Sequence, residues 1–310
     1  MKIGLQIPRF DWLGSPQNIG QKLVEIAQTA DKVGFSSLWF MDHFFQIGHG
    51  YGPVDAPMLE GYTALSYLAS VTKNLRLGLE VTGNPYRHPA ILVKTVTTLD
   101  VLSGGRANLG IGAGWYQLEA RGLGIPWPET WRERFKRLEE TLKIAHHMWN
   151  NDRSTFEGKY YRLEEPICSP QPISRPHPPI MVGGDGERKT LRLVAKYGDA
   201  CNLSLGSPLK QFTQRHNENY RTRRERLRRK LERLRGHCER VGRDPGEIEC
   251  TVHGPLLIGP DAMAPDELVE LCAELEEMGF SQYIFNIRNV HEIKPIQTIG
   301  DEVIPQVRRL

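Results

Sequence analysis

Cysteine is scarce and poorly spaced for cross-linking. The chain carries five, Cys168, Cys201, Cys238, Cys250 and Cys272, an odd number with no Cys-x-x-Cys pair and no His-x-x-x-His companion. Neither a disulfide framework nor a metal site is expected, and the thiols read as reduced core residues. Long apolar runs are missing as well: no stretch approaches the roughly 18 residues needed to span a bilayer. The opening Lys2-Ile3-Gly4-Leu5-Gln6-Ile7 looks like a strand, not a signal peptide, so a cytoplasmic protein with no membrane partner is expected. What is present is a globular composition, 39% hydrophobic and 25% charged, over 310 residues. That excludes a disordered chain and is long enough for one large α/β barrel or two ordinary domains.

Net charge is only +3, yet Arg221 to Arg243 holds eleven Arg or Lys against three Glu. A nucleic-acid patch is one reading of such a cluster. Against it, Leu227, Leu231, Leu234, Cys238 and Val241 recur at spacings of four, three, four and three, and no aromatic side chain interleaves with the arginines to stack bases. The segment therefore reads as an amphipathic helix with a solvated outer face, its arginines Arg226, Arg228 and Arg229 bystanders to any chemistry, and no nucleic-acid partner is expected.

Short β-rich runs alternate with helical patterns along the whole length, as in parallel α/β folds. The strand runs are Lys2–Ile7, Ser37–Phe40, Leu75–Val81, Ala107–Ile111, Ile180–Val182, Ala200–Leu203, Glu249–His253 and Tyr283–Ile287. The helical patterns are Ile19–Val33, Tyr62–Thr72, Pro89–Leu102, Arg132–Trp149, Glu187–Tyr197, Leu209–Val241, Pro265–Met278 and Ile296–Leu310. Eight of each predict a single-domain (β/α)8 TIM barrel over residues 1–310. His43–Gly61 and Trp115–Thr130 follow strands and belong at the C-terminal mouth. Asn150–Pro179 precedes the fifth strand, and its Thr155–Leu163 core, with Gly158 as the turn, reads as a small hairpin.

Candidate site residues cluster at strand ends. Gly110, Gly112 and Gly114 alternate beside Ala113 and Trp115, removing side chains from one face; this suits either a flat ring lying on the backbone or plain strand packing. Gly183-Gly184-Asp185-Gly186 leads from a strand into a helix near Glu187, which suits either a phosphate cradle or an ordinary turn. It is not a dinucleotide Gly-x-Gly-x-x-Gly signature. Asp185 and Glu187 would repel a phosphate, with Arg188 or Lys189 available to compensate; Arg188, Lys189 and Arg192 together can give an anionic group a basic exit. Asp42 and His43 follow the second strand; a histidine there can exchange a proton near neutral pH, or the pair can simply satisfy loop backbone. His49, His88, His146, His147, His237 and His253 read as caps or helix-face residues.

Taken in order, Asp42-His43-Phe44, Met58-Leu59-Glu60-Gly61-Tyr62, Tyr86-Arg87-His88-Pro89, the glycine-rich segment to Glu119, Gly183 through Thr190 and Ala195 through Asn202 resemble the bacterial luciferase-like family of flavin and deazaflavin oxidoreductases. Within it the chain is most similar to the coenzyme F420-dependent branch. The resemblance implies a hydride transfer between coenzyme F420 and a small organic substrate. An FMNH2-dependent monooxygenase fed by a separate reductase, or a non-catalytic flavin-binding protein, is the alternative. It implies His43 and Asp42 beside the ring, with the cofactor held by Glu80, Val81, Gly112, Ala113, Gly114, Trp115, Gly183, Gly184, Asp185, Gly186, Arg188 and Asn202. It further implies a non-proline cis peptide near Leu79–Val81, and it leaves room for a homodimer. One departure stands out: some deazaflavin dehydrogenases that resemble this chain carry a catalytic glutamate where Trp115 lies, which leaves Glu119 to tie down the mouth loop through its backbone or Arg121.

Overall fold

Strand-forming and helix-forming segments alternate in space as they do along the chain. The computed structural model describes residues 1–48, 50–206, 220–258 and 262–310. Its first half runs β1 (Lys2–Ile7), α1 (Ile19–Val33), β2 (Ser37–Phe40), α2 (Gly61–Ala69), β3 (Arg76–Leu79), β4 (Thr82–Gly83), α3 (Pro89–Ser103), β5 (Leu109–Gly112), α4 (Gln117–Gly122) and α5 (Trp131–Trp149). After the hairpin β6 (Phe156–Glu157) and β7 (Arg162–Leu163) come β8 (Ile180–Gly183), α6 (Thr190–Tyr197), β9 (Ala200–Ser204), α7 (Tyr220–Val241), β10 (Glu249–Leu256), α8 (Pro265–Glu277), β11 (Gln282–Ile287), α9 (Lys294–Thr298) and α10 (Ile304–Val307).

The main sheet has the order β3-β2-β1-β11-β10-β9-β8-β5-β4, with every pairing parallel. Its two ends are halves of one strand. β4 takes up the path of β3 after two residues and pairs with β5 through Thr82–Ile111 and Gly83–Gly112, while Leu77 of β3 bridges to Ala107. The sheet is therefore a closed barrel, and the expected strand Leu75–Val81 is broken at its mouth end, where the Glu80–Val81 peptide is cis. Trp39, Met181, Ala200 and Ile284 fill the interior, with Val81 against them from the mouth side.

Helices cover the outside because their apolar stripes match the strands' outer faces. α1 buries Ile19, Leu23, Ile26, Ala27 and Ala30 and stops at Gly34, whose φ of 95° is left-handed and favours glycine. α3 starts on Pro89 and ends at Gly104, also left-handed at 71°. The hairpin expected at Thr155–Leu163 forms through Phe156–Leu163 and Glu157–Arg162 pairing. Several helix boundaries differ from the sequence reading: α2 ends at Ala69, not Thr72, and α4 forms inside the expected mouth loop Trp115–Thr130. α6 begins at Thr190, not Glu187, and the last pattern splits into α9, a π-helical turn over Ile299–Val303 and α10. Gly300 in that turn lies where a Cβ would sit 2.3 Å from Val33, so close packing on α1 sets the local geometry. The basic helix is described from Tyr220 onward; residues 209–219 of the expected helix, and His49, lie outside the described residues. Among the described residues no helix is long and apolar enough to cross a membrane.

Candidate functional site

A cavity of about 640 Å³ opens at the C-terminal ends of the barrel strands, the end at which barrel enzymes carry their chemistry. Its wall includes His43, Glu80, Val81, Gly112, Ala113, Gly114, Trp115, Gly183, Gly184, Asp185, Gly186 and Asn202. Twelve of the fourteen expected site residues thus meet in one place. Asp42 and Arg188 are not on that wall. The Asp42 carboxylate is buried and spent on a two-point pair with Arg87, at 2.7 and 2.9 Å, and on the Gly83 amide at 2.9 Å. Arg87 also bonds Glu60 and lies over the Tyr62 ring. Burial lowers the tendency of Arg87 to hold its proton, and Asp42 outweighs that, leaving it raised.

The glycines of the floor have different reasons to be there. A Cβ on Gly110 would lie 2.0 Å from the Leu79 carbonyl oxygen, so that glycine serves strand packing. On Gly112 and Gly183 it would meet the Val81 methyls at 2.9 and 2.6 Å. The bare backbone of β5 and β8 therefore seats the Val81 side chain, and Val81 in turn faces the cavity. The expected flat face is Val81 plus backbone, not glycine alone.

Beside that floor sits a polar cluster. Glu80 is buried; its Oε1 accepts from Asn202 Nδ2 and lies 3.2 Å from His253 Nδ1, and Asn202 Oδ1 accepts from Thr251 at 2.9 Å. Burial pushes the Glu80 carboxyl above the ordinary value, with His253 and Asn202 opposing. Glu80 Oε2 and Asn286 Oδ1 are buried acceptors that no described group bonds. Unpaired acceptors of this kind cost about 1–3 kcal/mol each, which a ligand with N–H donors can recover. His253 was read from the sequence as peripheral. Strand alternation with Thr251 was the available signal that it faces inward.

Across the cavity, His43 Nδ1 is 2.7 Å from Glu119 Oε1. Glu119 has a fully buried side chain and also accepts from Tyr86 Oη and from the Phe44 and Phe45 amides at 2.6 and 3.2 Å. Burial raises its pKa, but His43, Tyr86 and the Phe44 amide outweigh this and hold the carboxyl below the ordinary range. Trp115 and Tyr116 pack edge-on to the His43 ring at 5.5 and 5.6 Å. Glu119 does tie down the mouth loop, but through Phe44, Phe45 and His43; sequence reasoning missed the histidine because the two residues are 76 positions apart.

The Gly183–Gly186 loop carries the other expected feature. Its acidic residues are neutralised, though not by Arg188 or Lys189: Lys230 reaches Asp185 at 2.7 Å and Arg229 reaches Glu187 at 3.0 Å. Arg226 donates to the Ser204 and Leu205 carbonyls at the end of β9. The polar face of α7 is thus engaged with the mouth, contrary to its reading as a wholly solvated surface. Arg192 is paired with Glu139, and Lys189 lies over the Phe135 ring. Among the described residues no group of three or more His, Cys, Asp or Glu can hold a metal ion.

The chain is 31% identical over 245 residues to F420-dependent glucose-6-phosphate dehydrogenase of Kineococcus radiotolerans, covering 77% of this chain but only 65% of that relative, just under two thirds of its length. It is 32% identical over 160 residues to FMNH2-dependent dimethylsulfone monooxygenase of Pseudomonas putida, covering 52% of this chain and 42% of that protein. In three dimensions it resembles an F420-dependent secondary alcohol dehydrogenase solved with an F420-acetone adduct, with TM-score 0.79 and 20% identity over 99% of both chains. Residues 1–300 match the model of the luciferase-like monooxygenase family, to which this chain belongs.

Proposed function

We propose that the protein is a coenzyme F420-dependent oxidoreductase acting on a small, uncharged, largely apolar organic substrate. What carries this reading is the His43–Glu119 pair at the wall of a cavity that combines a Val81 floor, buried acceptors and a glycine loop. A tricyclic deazaflavin fits this inventory. Its pyrimidine ring offers an N–H donor to Glu80 Oε2 or Asn286 Oδ1, and Gly183–Gly186 offers amides to its phosphate. When bound, the deazaflavin supplies or accepts the hydride.

The chain's own residues do the rest. With Nδ1 held by Glu119, His43 presents Nε2 to the cavity and can move a proton to or from the substrate oxygen. Asp42 acts as a positioning residue: through Arg87 and the Gly83 amide it fixes the backbone beside Val81. Trp115, Ile47, Tyr51 and Pro255 contribute apolar wall, and burying apolar substrate surface there gains about 25 cal/mol per Å². The named substrate of the Kineococcus relative is not carried over, because Trp115 stands where some such dehydrogenases hold a carboxylate. The test is direct: purified apoprotein is titrated with F420 and with FMN by fluorescence quenching, and then assayed for F420 reduction with apolar alcohols and with glucose 6-phosphate. Micromolar F420 binding and turnover of the alcohols are expected.

The Pseudomonas relative favours a second reading, an FMNH2-dependent monooxygenase served by a separate reductase. Tight FMN binding with no F420 binding would establish it in place of the first.

A further inference from the structure

The arginine-rich helix lies outside the proposed hydride chemistry, yet it grips a loop suited to an anion. Lys230, its side chain only 6% exposed, donates to both the carbonyl oxygen and Oδ1 of Asp185, at 2.8 and 2.7 Å. Two turns on, His237 Nε2 lies 2.8 Å from the Glu187 carbonyl oxygen, and Arg229 holds the Glu187 carboxylate. In a trans peptide the C=O and N–H point in opposite directions. Carbonyls of Asp185 and Glu187 drawn outward onto α7 therefore turn the amides of Gly186 and Arg188 away from α7. For Gly186, which lines the cavity, that is the ligand side. The same lysine cancels the carboxylate that would otherwise repel an anion there, and Asp185 Oδ1 is also anchored by the Ser204 amide at 3.2 Å.

We infer that Lys230 is a positioning residue for phosphate recognition: by holding and neutralising Asp185 it lets the Gly183–Gly186 loop accept the phosphate group of the cofactor. This rests on the proposal that the loop receives that phosphate. The lysine end of this pair is buried while Asp185 is 45% exposed, so the pair is screened on its solvent side only.

A matched pair of ligands isolates the effect. Dissociation constants are measured for the deazaflavin riboside and for its 5′-phosphate, with wild type, Lys230→Met, Lys230→Arg, Asp185→Asn and the Lys230→Met/Asp185→Asn double variant. Wild type is expected to prefer the phosphate form by at least about tenfold, the scale of one charge-assisted contact. Lys230→Met should lose most of that preference while binding the riboside as before, which also shows that its cavity is folded. Lys230→Arg should keep the preference, and the double variant should regain part of it. Asp185→Asn alone, which leaves Lys230 in place, should keep or raise it. No preference in wild type would overturn the phosphate reading of the loop. A wild-type preference that survives in Lys230→Met, or falls in Asp185→Asn, would overturn the role given to Lys230.

Discussion

Replacing Glu119 by Gln changes one atom and should reverse a tautomer. In the native protein four donors converge on this carboxylate: His43, Tyr86 and the amides of Phe44 and Phe45. A glutamine can keep its oxygen on the two fixed backbone amides, but its NH2 then faces Tyr86 and His43. His43 Nδ1 must become an acceptor, so the proton moves to Nε2, the nitrogen turned to the cavity. All four charge-assisted bonds become neutral ones, a loss of at least about 1–3 kcal/mol, which lowers Tm by a few degrees or more in a chain of this size. The catalytic loss should be larger, about 10²-fold in kcat with cofactor affinity little changed, the usual scale of proton-transfer assistance. Acid sensitivity supplies a second signature. A carboxyl held below its ordinary value stabilises the fold at all pH above about 4.3, its unfolded value, and that share is lost as pH falls through the lower folded value. Wild type should therefore lose more of its Tm than the variant between pH 5 and the acid limit. Steady-state kinetics and thermal melts across pH test both points. A variant with wild-type kcat and an unchanged acid limb would refute the idea that Glu119 sets the state of His43.

Other substitutions probe other parts of the site. Glu80→Gln should raise Tm at pH 8, because a carboxyl whose folded pKa is raised loses stability as pH climbs towards that value; the gain should shrink on acidification, and an equal gain at every pH would point to packing instead. Gly110→Ala places a methyl 2.0 Å from a backbone oxygen, so a loss above about 3 kcal/mol in denaturant unfolding is expected, whereas a mild effect would mean that β3 yields easily. Among the five thiols, Cys250 should be alkylated first, since Cys201 and then Arg235 lower its pKa while burial raises that of Cys272 to about 12; peptide mass spectrometry after a short iodoacetamide pulse reads the order.

The barrel was legible because its signals are local. Runs such as Leu5–Ile7 and Tyr283–Ile287 are β-rich over a few residues, and the stripe on α1 repeats at helical spacing, so neither needs knowledge of distant partners. The glycine loops were legible for the same reason. What stayed hidden depends on long-range pairing: Glu119 with His43, Lys230 with Asp185, His253 with Glu80. Of the two readings of Gly110–Gly114, strand packing holds at Gly110 and Gly112, and at Gly112 it stayed hidden because the atom that fills the gap comes from Val81, thirty-one residues earlier. The hairpin succeeded because both of its strands lie within one short segment.

The seating of Val81 between Gly112 and Gly183 has an evolutionary corollary. Where a pocket floor is built of side chains, many positions can drift and reshape it independently. Here the neighbouring positions are closed to any larger residue, by Val81 itself and, at Gly110, by a backbone oxygen. Variation in depth and contour is therefore tied to position 81, which must shrink before Gly112 or Gly183 can grow. A library at that single codon, Ala through Ile, would sample most of the shapes this floor can take, and descendants with thicker or thinner ligands should differ there first.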